Sequence, residues 1–180
     1  MVTDYKITQV EQILPILELV ARESRPLVIV AEDIEGQALA ALIMNSIKGS
    51  LKVVAIKAPE YGEERKRILQ DLATTTGAHF IPREDRQYIS KLQLKDLGTA
   101  KSIDVTKNYT IIVDGAGDTE EINNKIDYIQ AEIKRTENEY ELMALQKRIT
   151  RLISSVGIIY VGAATEVEMI EKKHRVEDAL

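Results

Sequence analysis

A strand, a glycine-bearing loop and a helix follow one another in IIVDGAGDTEEI, residues 111–122. That order can bind phosphate, because backbone N–H groups at a helix N-terminus point at an anion. The segment lacks both the GxxxxGK(S/T) and the GxGxxG patterns. Asp114, Asp118, Glu120 and Glu121 would also repel a phosphate. A tight turn with acidic residues complementing a helix N-terminus is the plainer reading. A small-molecule- or nucleotide-binding α/β enzyme domain that uses residues 114–118 is the alternative this loop raises. Other catalytic chemistry is harder to place. The chain has no Cys, which excludes a thiol nucleophile, a Cys-ligated zinc site and a disulfide framework. His79 and His174 lie far apart with no HxxxH spacing, so both read as surface or structural residues and no metal site is expected. The cluster EERKR, 63–67, reads as a solvated helix face with i,i+4 pairing. Neither a Ser/His/Asp set nor a carboxylate pair follows from the spacing.

The remaining chemistry is apolar. In the segment 36–48, Leu42, Leu39, Ile43, Ile47, Ala40 and Met44 fan over roughly 200° at 100° per residue. A helix that buries one face needs a stripe nearer about 100°. In the segment 11–24, Ile13, Leu14, Ile16, Leu17, Leu19 and Val20 cover more than half the circumference. Helices that are apolar all round are usually buried deep in a core. The other reading is that each gives one face to the core and another to a partner, since an exposed apolar patch marks a binding surface.

The elements that would position these helices can be read along the chain. Residues 4–8 form a short strand or extended lead-in, and 11–24 a helix with Pro15 in its first turn, where a missing N–H costs little. LVIVAE, 27–32, is a continuous apolar run of strand length, as expected of a strand covered on both faces. A helix over 36–48 ends at Gly49, and LKVVAIK, 51–57, is the next strand. This order predicts a βαβ unit and a parallel pair. A helix over 63–76 closes at Gly77, a short strand falls within 78–82, and 91–100 holds a turn of helix and a loop. Two strands within 101–114 join near Lys107-Asn108. Ile122, Ile126, Ile129 and Ile133, then Tyr140, Leu145, Ile149 and Leu152, recur at helical spacing around a polar break at 136–138. They predict a helical hairpin. A strand over 157–163 and a charged, uncapped helix over 166–180 follow.

Composition narrows the partners. The 180 residues are 44% hydrophobic, enough for a real core, and the net charge of −5 comes from interspersed charges. Aromatic residues are only 4% and no basic groove is visible, which argues against nucleic acid. The N-terminus is unlike a signal peptide, and the longest apolar runs fall far short of the ~20 residues of a membrane span. No membrane partner is expected.

The stretches TDYKI, ILPILE, RPLVIVAEDIEGQALAALIMN, VVAIKAP, RKRILQDLATTTG and LQLKDLGTAK stand in order along the chain, ahead of VGAATEVEM and EKKHRVEDAL. Together they resemble the GroEL-type, group I chaperonins over essentially all 180 residues. The resemblance implies an α/β fold with a compact sheet core flanked by helices and followed by the helical hairpin. Residues 1–155 resemble most of an apical, polypeptide-binding domain that lacks its first part. Residues 156–180 resemble part of the intermediate, hinge-like domain. The resemblance implies that Leu14, Leu17, Leu39, Ile43 and Met44 are apolar binding positions and Asn45 a neighbouring polar one. Gln37 stands where the family usually has Glu, and Lys48 where Arg is common. Non-native polypeptides and a GroES-type cochaperonin would share this groove. Asp178 falls on a carboxylate that serves ATP hydrolysis in the full-length ring, and Glu166 on an inter-subunit contact of the allosteric cycle. ATP and Mg²⁺ are expected for the full-length subunit in a homo-oligomeric ring. No cofactor and no catalysis are expected for the 180 residues alone. The implied location is the cytoplasm or the matrix of an endosymbiont-derived organelle. Three departures mark a divergent member: Ser154-Ser155 in place of a hinge Gly pair, PEYGEER in place of a Pro-Gly-Phe-Gly start, and a poor match over 83–91. Ser tolerates fewer backbone conformations than Gly, so the Ser pair implies a stiffer hinge.

Overall fold

The computed structural model describes residues 1–106 and 109–153, together with Val167 and Ile170. Lys107, Asn108, Ser154, Ser155, Glu166 and Asp178 lie outside the described residues. So do the strand expected over 157–163 and most of the helix expected over 166–180.

The apolar run at 27–31 becomes the strand that organises the body. β3 (Leu27–Ala31) pairs in parallel with β5 (Val53–Lys57) over five residues, from Leu27↔Val53 to Ala31↔Lys57. On its other side it pairs with β1 (Val2–Thr3), which pairs in turn with β6 (Phe80–Ile81). The parallel sheet therefore runs β5-β3-β1-β6. Successive side chains point to opposite faces of a strand. Leu27, Ile29 and Ala31 accordingly enter one apolar cluster with α1 (Leu14–Arg22) and α2 (Gly36–Ile47). Val28 and Val30 enter a second cluster with Leu69 and Ala73 of α3 (Gly62–Thr76). Burial on both faces is the reason β3 carries no alternation.

The strand–helix–strand unit predicted from 27–57 is thus β3–α2–β5, with its strands parallel and adjacent. The lead-in expected over 4–8 is broken instead: β2 (Lys6–Ile7) leaves the main sheet and pairs with β4 (Asp33–Ile34). The helix expected over 11–24 opens as a 3-10 turn at Val10–Gln12, and α1 proper follows with Pro15 in its first turn. Residues 83–91 form 3-10 turns that sequence periodicity did not signal. Ile89 within them is buried in the first cluster. α3 ends at Gly77, whose φ of 69° is the left-handed cap expected there.

An antiparallel ribbon of β7 (Ala100–Val105) and β8 (Thr110–Gly115) follows. The hairpin of α4 (Thr119–Ile133) and α5 (Glu139–Ile153) comes next. Its apolar stripes close on each other through Ile129, Leu145 and Leu152. Asp118 caps α4 by accepting from the N–H groups of Glu120 and Glu121 at 2.7 and 3.4 Å.

Candidate functional site

The loop that suggested phosphate chemistry is packed against a helix end of the wrong polarity. Gly117 N–H donates to the Thr75 carbonyl at 3.0 Å, and Thr99 N–H donates to the Thr76 carbonyl at 2.9 Å. Both acceptors belong to the last turn of α3, where orphan carbonyls carry the negative end of the helix dipole. A Cβ on Gly115 would lie 2.2 Å from the Thr75 oxygen, and one on Gly117 would lie 2.0 Å from the Thr74 oxygen. The glycines therefore serve close approach of the loop to α3. The N–H groups that open α4 are already held by Asp118. No phosphate cradle is left.

The carboxyl ends of parallel strands are the usual ligand site of an open α/β sheet. Here they are filled with ion pairs. Beyond β3, Glu32 is held between Arg65, at 2.9 Å, and Arg83. Burial pushes its carboxyl upward, but Arg83 and Arg65 outweigh burial and the net shift is below the usual carboxylate range. Asp33 accepts from Lys57 at 2.7 Å, which holds its carboxyl low, and Lys6 pairs with Glu35 at 2.8 Å. A cavity of about 280 Å³ opens between the parallel sheet and the ribbon, with Val28, Ile56, Leu97, Ile103 and Ile112 in its lining. Its lining contains no carboxylate or imidazole. Among the described residues no group of three or more His, Cys, Asp or Glu could hold a metal, and no helix is long and apolar enough to cross a membrane.

What remains is the pair of apolar helices, and the structure treats them differently. α1 is mostly core: Ile16, Leu17 and Val20 are buried, and Leu19 is half-buried against the same cluster. Only Leu14, 43% exposed, gives a large apolar side chain to solvent. This corrects the expectation for Leu17. It is 4% exposed and is packed in the core cluster beneath α1 instead of facing solvent.

α2 is apolar on two faces. Ala38 and Leu42 are buried and Leu39 is half-buried against the core. Ala40, Ile43, Met44 and Ile47, at i, i+3, i+4 and i+7, are exposed, the last three by 48, 53 and 78%. They share one helix face by spacing. No charged residue stands between Gly36 and Ile47. Gln37 is exposed near one end of α2 and Lys48 just past the other. Asn45 is half-buried, and its amide donates to the Ala41 carbonyl at 2.8 Å, so it is anchored to its own helix. Leu14, Ile43, Met44, Gln37 and Lys48 are thus accessible, while Leu39 and Asn45 are partly so. Ile47 is the most exposed large apolar side chain of α2. It was visible in the sequence as a member of the wide arc.

The sequence reading missed a charged group between α3 and the hairpin. Arg148 is buried and grips Asp71 with Nε–H to Oδ2 at 2.7 Å and Nη2–H to Oδ1 at 3.0 Å. A signal existed, since Arg148 stands three residues after Leu145 and four before Leu152, on the stripe that α5 buries. The family model described as the TCP-1/cpn60 chaperonin family matches residues 1–180.

Proposed function

The chain belongs to the TCP-1/cpn60 chaperonin family, and from that premise we propose that the outer face of α2, with Leu14 of α1, captures apolar segments of non-native polypeptides. Membership in this family supports a chaperone role. The observation that carries the finer reading is the exposed stripe Ala40-Ile43-Met44-Ile47 on a helix without charge. Monomeric soluble domains seldom leave such a stripe open without a partner for it. Covering a large aliphatic side chain is worth roughly 1.5–3 kcal/mol. The attraction is non-directional, so many client sequences satisfy it. In this reading the domain is the apical part of a group I, ring-forming subunit, and a GroES-type cochaperonin competes for the same stripe.

The test is a double substitution, Ile43→Ser with Ile47→Ser. Affinity for an unfolded client is expected to fall at least roughly tenfold, since two exposed anchors are lost. The melting temperature is expected to move by no more than about 2–4 °C, because neither side chain is buried. Unchanged client affinity would remove α2 from the capture surface.

ATP and Mg²⁺ belong to the full-length subunit in this proposal. The 115–117 loop does not fit a nucleotide's phosphates, because it rests on the carbonyl end of α3. Titration of the 180-residue chain with Mg·ATP is therefore expected to show no saturable binding. Saturation at one site would restore the enzyme-domain reading.

A further inference from the structure

The hairpin and the body meet through charge. The hairpin's apolar cluster, Ile129, Leu145 and Leu152 with Ile126, Ile133 and Ile149, draws every member from α4 and α5. Neither apolar cluster of the body includes a hairpin residue. Two residues of α3, one helical turn apart, span the gap. Asp71 takes a cation from each hairpin helix: Arg148 of α5 at 2.7 Å and Lys125 of α4 at 3.5 Å. Arg67 takes an anion from each: Glu132 of α4 and Glu141 of α5, both at 3.9 Å.

From this we infer that the α4–α5 hairpin is a separately opening unit, held on α3 in one register by the Arg67–Asp71 pair of charges. Two neighbouring helices with their own apolar seam keep that seam when they leave α3. They give up the ion pairs to α3 and the surface around them. The arrangement also sets orientation. Sliding the hairpin by a turn, or reversing it end for end, would bring like charges together, and like-charge contact is a strong means of rejecting wrong docking. The buried Asp71–Arg148 pair contributes little net stability when whole, since desolvation offsets attraction, but breaking it strands a buried charge. Such an interface is closed or open, with little between. The units that open below the global limit are those with few apolar ties to the rest.

Native-state hydrogen exchange on the 180-residue chain tests this region by region. In the unsubstituted chain, the amides of α4 and α5 are expected to share one opening, at least about tenfold more frequent than that of Ile29 and Val30 in β3. Asp71→Asn is expected to lower hairpin protection roughly a hundredfold or more, and β3 falls with it until the hairpin stands open in the ground state, because the tie is absent both from the opened hairpin and from the unfolded chain. Ile29→Val weakens a contact of the body's own cluster that the chain keeps when the hairpin opens, and is expected to lower β3 protection a few-fold while the hairpin stays within about twofold. If Asp71→Asn fails to fold, Lys125→Met removes the weaker arm and is expected to lower hairpin protection by up to about fivefold. Hairpin protection equal to that of β3 in the unsubstituted chain would overturn the inference. So would a parallel fall of hairpin and β3 in Ile29→Val, or unchanged hairpin protection in Asp71→Asn.

Discussion

Leu17→Ser is expected to destabilise the chain by about 2–5 kcal/mol. The reason is its position. Leu17 is packed with Ile16, Val20 and Leu42 in the cluster between the sheet and the two helices. Serine would leave a cavity there and place a hydroxyl where water does not reach. For a chain of this length the loss corresponds to a fall in melting temperature of roughly 5–15 °C. Client capture by this variant should fall only as the domain unfolds, and should recover on cooling to a temperature where it is folded. In the proposed function, Ile43→Ser is expected to give the opposite pattern, with capture weakened and the melt nearly unmoved. Thermal melts beside client titrations on the two variants separate a supporting residue from a contacting one. A Leu17→Ser chain that melts like the parent and yet fails to capture would return Leu17 to the groove.

Stability is expected to fall as pH is lowered through the carboxylate range, and Glu32 is a source of that fall. Its carboxylate is held between Arg65, at 2.9 Å, and Arg83. Burial raises its pKa, but Arg83 and Arg65 outweigh burial and the net shift is downward. Above the unfolded chain's carboxyl value, about 4.3, the group is ionised in both states and its full share of stability is present. As pH falls below that, the unfolded chain takes up a proton that the folded chain refuses, and the share is lost. Urea melts between about pH 6 and 3 check the claim, with Glu32→Gln as the control whose stability should depend less on pH. Equal slopes for the two chains would show that Glu32 is not a cause.

Much of this was legible in the sequence because local rules were in force. β3 could be read from a run of apolar residues without alternation, which is what burial on both faces demands. The ends of α2 and α3 were marked by Gly49 and Gly77. Ile126, Ile129 and Ile133 traced the hairpin stripe because they pack on Leu145, Ile149 and Leu152 of α5. The division of labour between α1 and α2 was not legible. Both have wide apolar arcs, and an arc tells how much surface is apolar but not how much of it the rest of the fold covers. Leu17 and Ile43 are alike as residues, and only the packing of the sheet separates them. The loop at 114–118 was misleading for a similar reason. Its glycines are ambiguous until the Thr74–Thr76 end of α3 is seen beneath them. Asp71 and Arg148, 77 positions apart, could be paired only by the fold.

The absence of charge from Gly36 to Ile47 gives α2 a thermal character as well as a chemical one. Contact between apolar surfaces near room temperature is driven by entropy, and it weakens on cooling. Attachment through ion pairs would instead fade with added salt and have its own dependence on hydration. A face built from Ala40, Ile43, Met44 and Ile47 is nearly indifferent to ionic strength. Its attachment carries the negative heat-capacity change of buried hydrocarbon. In the proposed function, an apolar client segment would thus be held more firmly in the warm than in the cold.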